Sequence, residues 1–133
     1  MSETLRVFNE SLDRCFSQPE FLDRFYEILL ASSGEIADKF QNTELNKQKA
    51  ALKTALHVLL FAHEWDLKGD AYLQGIARRH SRHDLDVRPE LYDLWLDCLI
   101  EAAGEADPLF DEVIADSWRT ILRSGIEFMK SQY

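Results

Sequence analysis

Apolar residues recur along this chain at spacings of three and four, the period of a helix with one buried face, and strand-like alternation is absent. Leu5, Phe8, Leu12 and the Cys15/Phe16 pair predict a first helix over roughly residues 3 to 16. Ser17, Pro19 and Glu20 then read as a start signal: Ser as the cap, Pro in the first turn, and an acid three places after the cap. The next buried face is Phe21, Phe25, Ile28 and Leu29, with Tyr26 beside the stripe and able to turn its hydroxyl inward. Ser32 to Glu35 offers a second capping box, Gly34 eases the turn, and a short segment ends near Phe40. After the polar run Gln41 to Asn46, the helical pattern resumes through Leu45, Gln48, Leu52, Ala55, Leu56 and Leu59.

DLKGD at residues 66 to 70 marks a break before a helix in which Leu73, Ile76 and His80 share one face. Pro89 opens another helix through Leu91, Trp95, Cys98 and Leu99, ending near Gly104. Asp107 and Pro108 match the cap and first turn of a last helix, whose face is Phe110, Ile114, Trp118, Ile121, Gly125 and Phe128. The expectation is an all-α chain of six or seven helices, one of them short, forming a single domain over residues 1–133.

Composition narrows the functional classes. A hydrophobic content of 46% argues against general disorder, and 15 basic against 24 acidic residues leave a net charge of -9. That balance opposes nonspecific binding to nucleic acid or an anionic membrane and is silent about a small neutral ligand. The N-terminal stretch interleaves charges with its apolar positions, and the apolar run from Ala55 to Ala62 is far too short to span a bilayer, so a cytoplasmic location is expected. Cys15 and Cys98 form no CxxC pair and read as buried, reduced thiols, although two cysteines also permit a bridge.

The candidate chemistry centres on His80. An imidazole that continues an apolar stripe and is roofed by the next helix suits an axial metal ligand; on spacing alone it equally suits an ordinary buried histidine. His83 follows by three, between Arg82 and Asp84, which suits a polar role at a pocket mouth or cofactor edge. His57 and His63 lie six apart with no metal-binding motif, and read as packing or surface groups. Gln48 sits one turn before Leu52 on a face fit for burial, where its amide needs a partner or reaches water at the rim.

Helices of this kind can pack around a planar haem, which requires one firm axial ligand, an apolar slot and polar groups at its edge. His80 could supply the nitrogen, with its other ring nitrogen donating to the Ile76 carbonyl one turn earlier. Tyr26 and Gln48 are then candidate donors to a gas on the opposite side, with Phe40 and Leu52 wedging the ring and restricting access.

The segments FYEILLASSGEIADKF, KQKAAL, IARRHSRHDL, VRPELYDLW and SWRTILRSGIEFM, in that order, resemble the globin family, in particular bacterial single-domain haemoglobins and the haem domain of flavohaemoglobins. The resemblance implies a three-over-three helical sandwich around haem b. It makes His80 the proximal iron ligand, Phe40 the ring-packing phenylalanine, Leu52 the apolar distal residue, and Tyr26 and Gln48 the distal pair. Because the interval from Phe40 to Gln48 is shorter than the bacterial pattern, Lys47 or Ala51 faces the ligand if the helix turns differently. Tyr92 stands where flavohaemoglobins join a tyrosine, through the proximal histidine, to a late glutamate; that glutamate's place falls near Tyr133, with Glu127 about two turns early.

The function implied is reversible dioxygen binding at ferrous iron, for transport or storage. Alternatives are nitric oxide dioxygenation, which requires a separate reductase because the chain has no GxGxxG fingerprint, and gas sensing through a protein partner. The oligomeric state stays open.

Overall fold

The computed structural model describes residues 2–65, 71–82 and 85–133, without the side chains of residues 62, 64, 65 and 71–73. Seven helices follow in order: α1 (Glu3–Phe16), α2 (Phe21–Ser32), α3 (Gly34–Lys39), α4 (Leu45–Trp65), α5 (Ala71–His80), α6 (Glu90–Ala106) and α7 (Glu112–Ser131). Among the described residues there is no strand, and no helix is long and apolar enough to cross a membrane. The predicted break at residues 66 to 70 and the predicted edge residue His83 lie outside the described residues.

The helix boundaries follow local chemistry that differs from the expected signals at several places. Ser17 does not cap α2; it closes α1, its hydroxyl donating to the Asp13 carbonyl at 2.9 Å, and α2 starts at Glu20 without a side-chain cap. Ser33, rather than Ser32, caps α3 by accepting from the Ile36 amide at 3.3 Å. Ser32 instead donates back to Leu29, ending α2. At the start of α4, the Glu44 carboxylate accepts from the Asn46 and Lys47 amides, satisfying two amides that have no partner within the helix.

The largest departure is at the α6–α7 corner. α6 runs past Gly104 to Ala106, and the cap of α7 is Asp111, which accepts from the Ile114 amide at 2.9 Å. Asp107 has been drawn inward instead. The residue is 2% exposed, and its carboxylate accepts from Ser11 Oγ at 2.7 Å, from Arg14 Nε at 2.6 Å and Nη2 at 3.0 Å, and from the Leu109 amide at 2.9 Å. Trp118 Nε1 donates to the same Ser11 hydroxyl at 3.0 Å. A buried carboxylate is tolerated when its lone pairs are this fully occupied. The network fastens α1 to the α6–α7 corner and to α7.

The apolar faces close one core. α1 packs on α7, α6 and α4; α2 packs on α6 and α3; α7 also reaches α4, α5 and α6. Trp118, Phe8, Phe25, Leu12, Leu56, Leu99 and Ile121 are fully buried, with the Phe8 ring edge-on to Trp118 at 5.0 Å. A methyl at Gly125 would meet the tip of the Leu59 side chain, so the glycine leaves room for that side chain where α4 crosses α7. Cys15 and Cys98 are both free and buried. Burial pushes the Cys15 thiol up to about 12 and raises Cys98 as well, which leaves neither as an available thiolate.

Candidate functional site

α5 ends on His80, and the chain that follows folds back over that end. The Leu85 amide donates to the Arg79 carbonyl at 2.9 Å and the Val87 amide to the His80 carbonyl at 2.9 Å, satisfying carbonyls that a helix terminus leaves open. Within α5, His80 Nδ1 lies 2.7 Å from the Ile76 carbonyl oxygen. A carbonyl can only accept, so Nδ1 carries a proton, and in the neutral imidazole the lone pair is then on Nε2. This is the tautomer that a metal-ligating histidine requires.

On α6, the Tyr92 ring sits 6.5 Å from the His80 ring at a tilt of 37°. Burial pushes the Tyr92 hydroxyl up to about 12. Glu127, the nearest sequence candidate for an acidic partner, lies on the exposed side of α7 beside Lys130 at 3.8 Å.

A second group of side chains forms around Tyr26. Its hydroxyl lies near the Gln48 side chain of α4; burial raises its pKa to about 12, against an opposing pull from Gln48. Gln48 is half-buried, whereas Lys47 and Ala51 are exposed, so the turn of α4 presents Gln48 to Tyr26. Phe40, half-buried at the end of α3, meets Tyr26 edge-on at 5.8 Å. Leu52, one turn along α4 from Gln48, is 7% exposed and belongs to the core.

The two groups belong to one circuit of contacts. From Tyr92 it passes one turn along α6 to Trp95, whose ring meets Phe25 at 6.2 Å, and Phe25 meets Tyr26 at 4.9 Å. Beyond Phe40, Lys39 Nζ donates to the Leu85 carbonyl at 3.1 Å, and Leu85 is bonded back to Arg79 beside His80. Arg88 Nε reinforces this closure with a 2.9 Å bond to Glu35, whose carboxyl is held below its ordinary range by that hydrogen bond. The ring of contacts thus runs through α2, α3, α5 and α6, and α4 joins it through Gln48.

The pairings of Lys39 with Leu85 and of Glu35 with Arg88 were not anticipated from the sequence, which read Glu35 only as part of a capping box. Both span dozens of residues and carry no local period. Trp95 and Phe25 were visible only as core positions. A surface groove of about 240 Å³ between Phe16, Pro19, Leu22, Lys49 and Lys53 contains none of the candidate site residues.

No protein-family model matches the chain, and no curated protein matches it. Among solved structures, a protein of Pseudomonas aeruginosa PAO1, described as structurally highly homologous to a human hemoglobin, is 37% identical over 98% of both chains and superimposes with a TM-score of 0.94. The chain belongs to the globin family. Its all-α, seven-helix arrangement is accordingly that of a globin-like helical sandwich, and family membership makes it, in general terms, a haem-binding, gas-binding protein with a haem pocket.

Among the described residues of this globin, no group of three or more His, Cys, Asp or Glu side chains could hold a metal ion. Haem asks for no such cluster, since the macrocycle provides the in-plane ligands and the protein adds an axial one. The residues present fit that demand. With Nδ1 donating to Ile76, Nε2 is the nitrogen of His80 whose chemistry suits a metal, while Phe40, Ile76, Val87, Leu94 and Trp95 are apolar side chains that the core leaves partly uncovered, as a flat apolar group would require.

Proposed function

We propose that this globin holds haem b through His80 and binds dioxygen reversibly on the side of Tyr26 and Gln48. The observation that carries this reading is the His80 Nδ1 contact with Ile76, because it commits the lone pair to Nε2 and fixes the ring's orientation. Haem, when bound, supplies iron with intrinsic affinity for a diatomic gas. The protein's part would be to hold the iron through His80, to exclude water and to present a donor.

Tyr26 supplies that donor. With its pKa pushed up to about 12 by burial, its hydroxyl keeps the proton across the physiological range and can give a hydrogen bond to a gas that gains negative character. Gln48, beside the same hydroxyl, would orient it. Phe40 packs against Tyr26 and would wedge the macrocycle, while Ile76 and Tyr92 flank His80. His83, outside the described residues, is proposed for the cofactor's edge.

Glu127, the nearest sequence candidate for an acidic partner of Tyr92, pairs instead with Lys130 on the exposed side of α7, which supports binding over bond-breaking chemistry. Nitric oxide dioxygenation would additionally require a separate reductase.

An optical spectrum of the haem-reconstituted protein, reduced without air and then exposed to dioxygen, tests the reading. A stoichiometric haem band that shifts on adding dioxygen and returns on evacuation is expected. Failure to take up haem stoichiometrically would overturn the site. Rapid irreversible oxidation would move the assignment to an electron-consuming activity.

A further inference from the structure

We propose that the groove between the α1–α2 connection and α4 is a second binding site, which takes a small carboxylate with an aromatic body. The groove holds about 240 Å³ and shares no residue with the haem site proposed above. That volume lies below the roughly 300–1,000 Å³ of clefts that take drug-sized ligands, so the occupant is a small molecule. The apolar lining is aromatic at its centre. Phe21 is buried, the Phe16 ring stands edge-on to it at 5.3 Å, and the half-buried Leu22 lies alongside.

Charge decides which small molecule fits. The charged residues lining the groove are Asp23, Lys49 and Lys53, one acid against two bases, so the groove carries one net positive charge on a chain whose total is -9. Asp23 neutralises Lys49 through an ion pair. Lys53 has no carboxylate partner among the described residues and instead holds its ammonium over the Phe16 ring at 5.2 Å. The two lysines lie one turn apart on α4, where like charges repel, and an anion between them relieves that repulsion. An exposed cation is held only weakly by a ring. A carboxylate entering the groove offers Lys53 a charge-assisted hydrogen bond in its place. As the ammonium leaves Phe16, it uncovers ring surface against which an aromatic body can stack. Phe16 itself stays put, braced by Phe21 and by the His57 ring at 5.7 Å.

The test titrates the full chain with 3-phenylpropionate and follows the backbone amide resonances. Saturable shifts at Gln18, Leu22, Asp23, Ala50 and Lys53 are expected, with a dissociation constant of about 1 mM, the affinity that about ten non-hydrogen atoms reach at ordinary efficiency. 3-Phenylpropionamide, which keeps the ring and loses the charge, should bind about tenfold more weakly, and Lys53→Gln should weaken the acid by a similar factor. Asp23→Asn frees Lys49 of its internal partner and should tighten binding several-fold. Lys47→Gln makes the same change in net charge at an exposed position outside the groove and should leave the affinity unchanged. Shifts that fail to saturate would overturn the proposal, as would shifts centred on Tyr26, Phe40 and His80. Equal affinity for acid and amide would remove the role of Lys53, and a loss in Lys47→Gln as large as in Lys53→Gln would reduce the effect to overall charge; either result would also overturn it.

Discussion

His80 Nδ1 and the Ile76 carbonyl oxygen are 2.7 Å apart, one helical turn from each other, and that single contact determines which face of the imidazole can do chemistry. Because the acceptor is main chain, its position is set by α5 itself and is insensitive to the side chain at residue 76. The prediction is asymmetric. Ile76→Val should leave the ferrous spectrum unchanged, whereas His80→Ala should abolish the five-coordinate histidine-ligated form. Adding free imidazole to His80→Ala should restore it, since the cavity left by the side chain has the shape of the missing ring. A parent-like ferrous spectrum in His80→Ala without imidazole would reject the assignment.

On the other side the pairing of Tyr26 with Gln48 separates two contributions. Tyr26→Phe removes the hydroxyl and keeps the ring against Phe25 and Phe40, so the pocket wall should persist. If about 1.4 kcal/mol of hydrogen bonding is lost, dioxygen should dissociate about tenfold faster. Gln48→Leu leaves the Tyr26 hydroxyl in place but unoriented, and its effect should be smaller. Stopped-flow displacement by carbon monoxide measures both. A larger effect for Gln48→Leu would transfer the principal donor role to the amide.

The helices were legible because their buried faces obey a period that needs no tertiary information. The faces of α1, α2 and α7 fall on Phe8 and Leu12, on Phe25 and Leu29, and on Trp118 and Ile121 as the spacing requires. Polar residues were harder to place, since a Ser or Asp can cap either neighbouring helix or turn inward. Ser17 went to the helix before it, Ser33 took the role expected of Ser32, and Asp107 gave up capping for a buried network that only the approach of Ser11 and Arg14 makes favourable. The same distinction holds at the site. The His80 bond to Ile76 is local and could be anticipated from the helix period. The contacts of Lys39 and Arg88 depend on chain reversals that spacing does not encode.

Asp107 makes acid stability a specific expectation. Burial acts to raise its pKa, but the hydrogen bonds from Arg14, Ser11 and the Leu109 amide outweigh burial and hold it below the ordinary 3.8. A carboxyl with a depressed folded-state pKa stabilises the protein above its unfolded value, and this contribution is lost as pH falls below about 4 and through the folded pKa. Asp107→Asn should therefore lower the melting temperature at pH 7 and flatten its fall between about pH 4 and pH 2. The neutral-pH loss should be about 1–3 kcal/mol, since Arg14 and Ser11 are left with a poorer acceptor. Thermal melts of both proteins across that range would show it. Parallel curves would mean the carboxylate contributes no proton linkage.

The alkaline limit has the opposite sign and a different origin. Tyr26 and Tyr92 are both pushed up to about 12 by burial, whereas tyrosines in the unfolded chain ionise near 10. Their burial as neutral groups contributes stability that is fully present below pH 10 and is lost as pH rises towards 12, because the unfolded state gains its phenolates first. The parent protein should lose stability steeply over that window. Tyr26→Phe and Tyr92→Phe should each reduce the slope, and the double variant should reduce it further, because the two hydroxyls lie on α2 and α6 and titrate without a shared partner. Denaturant unfolding at pH 9 and pH 11 isolates the effect, with the tyrosinate absorbance near 295 nm reporting which rings ionise before unfolding. Ionisation of either ring near pH 10 in the folded protein would contradict its burial as a neutral group, and for Tyr26 it would also remove the proton that its role as a donor requires.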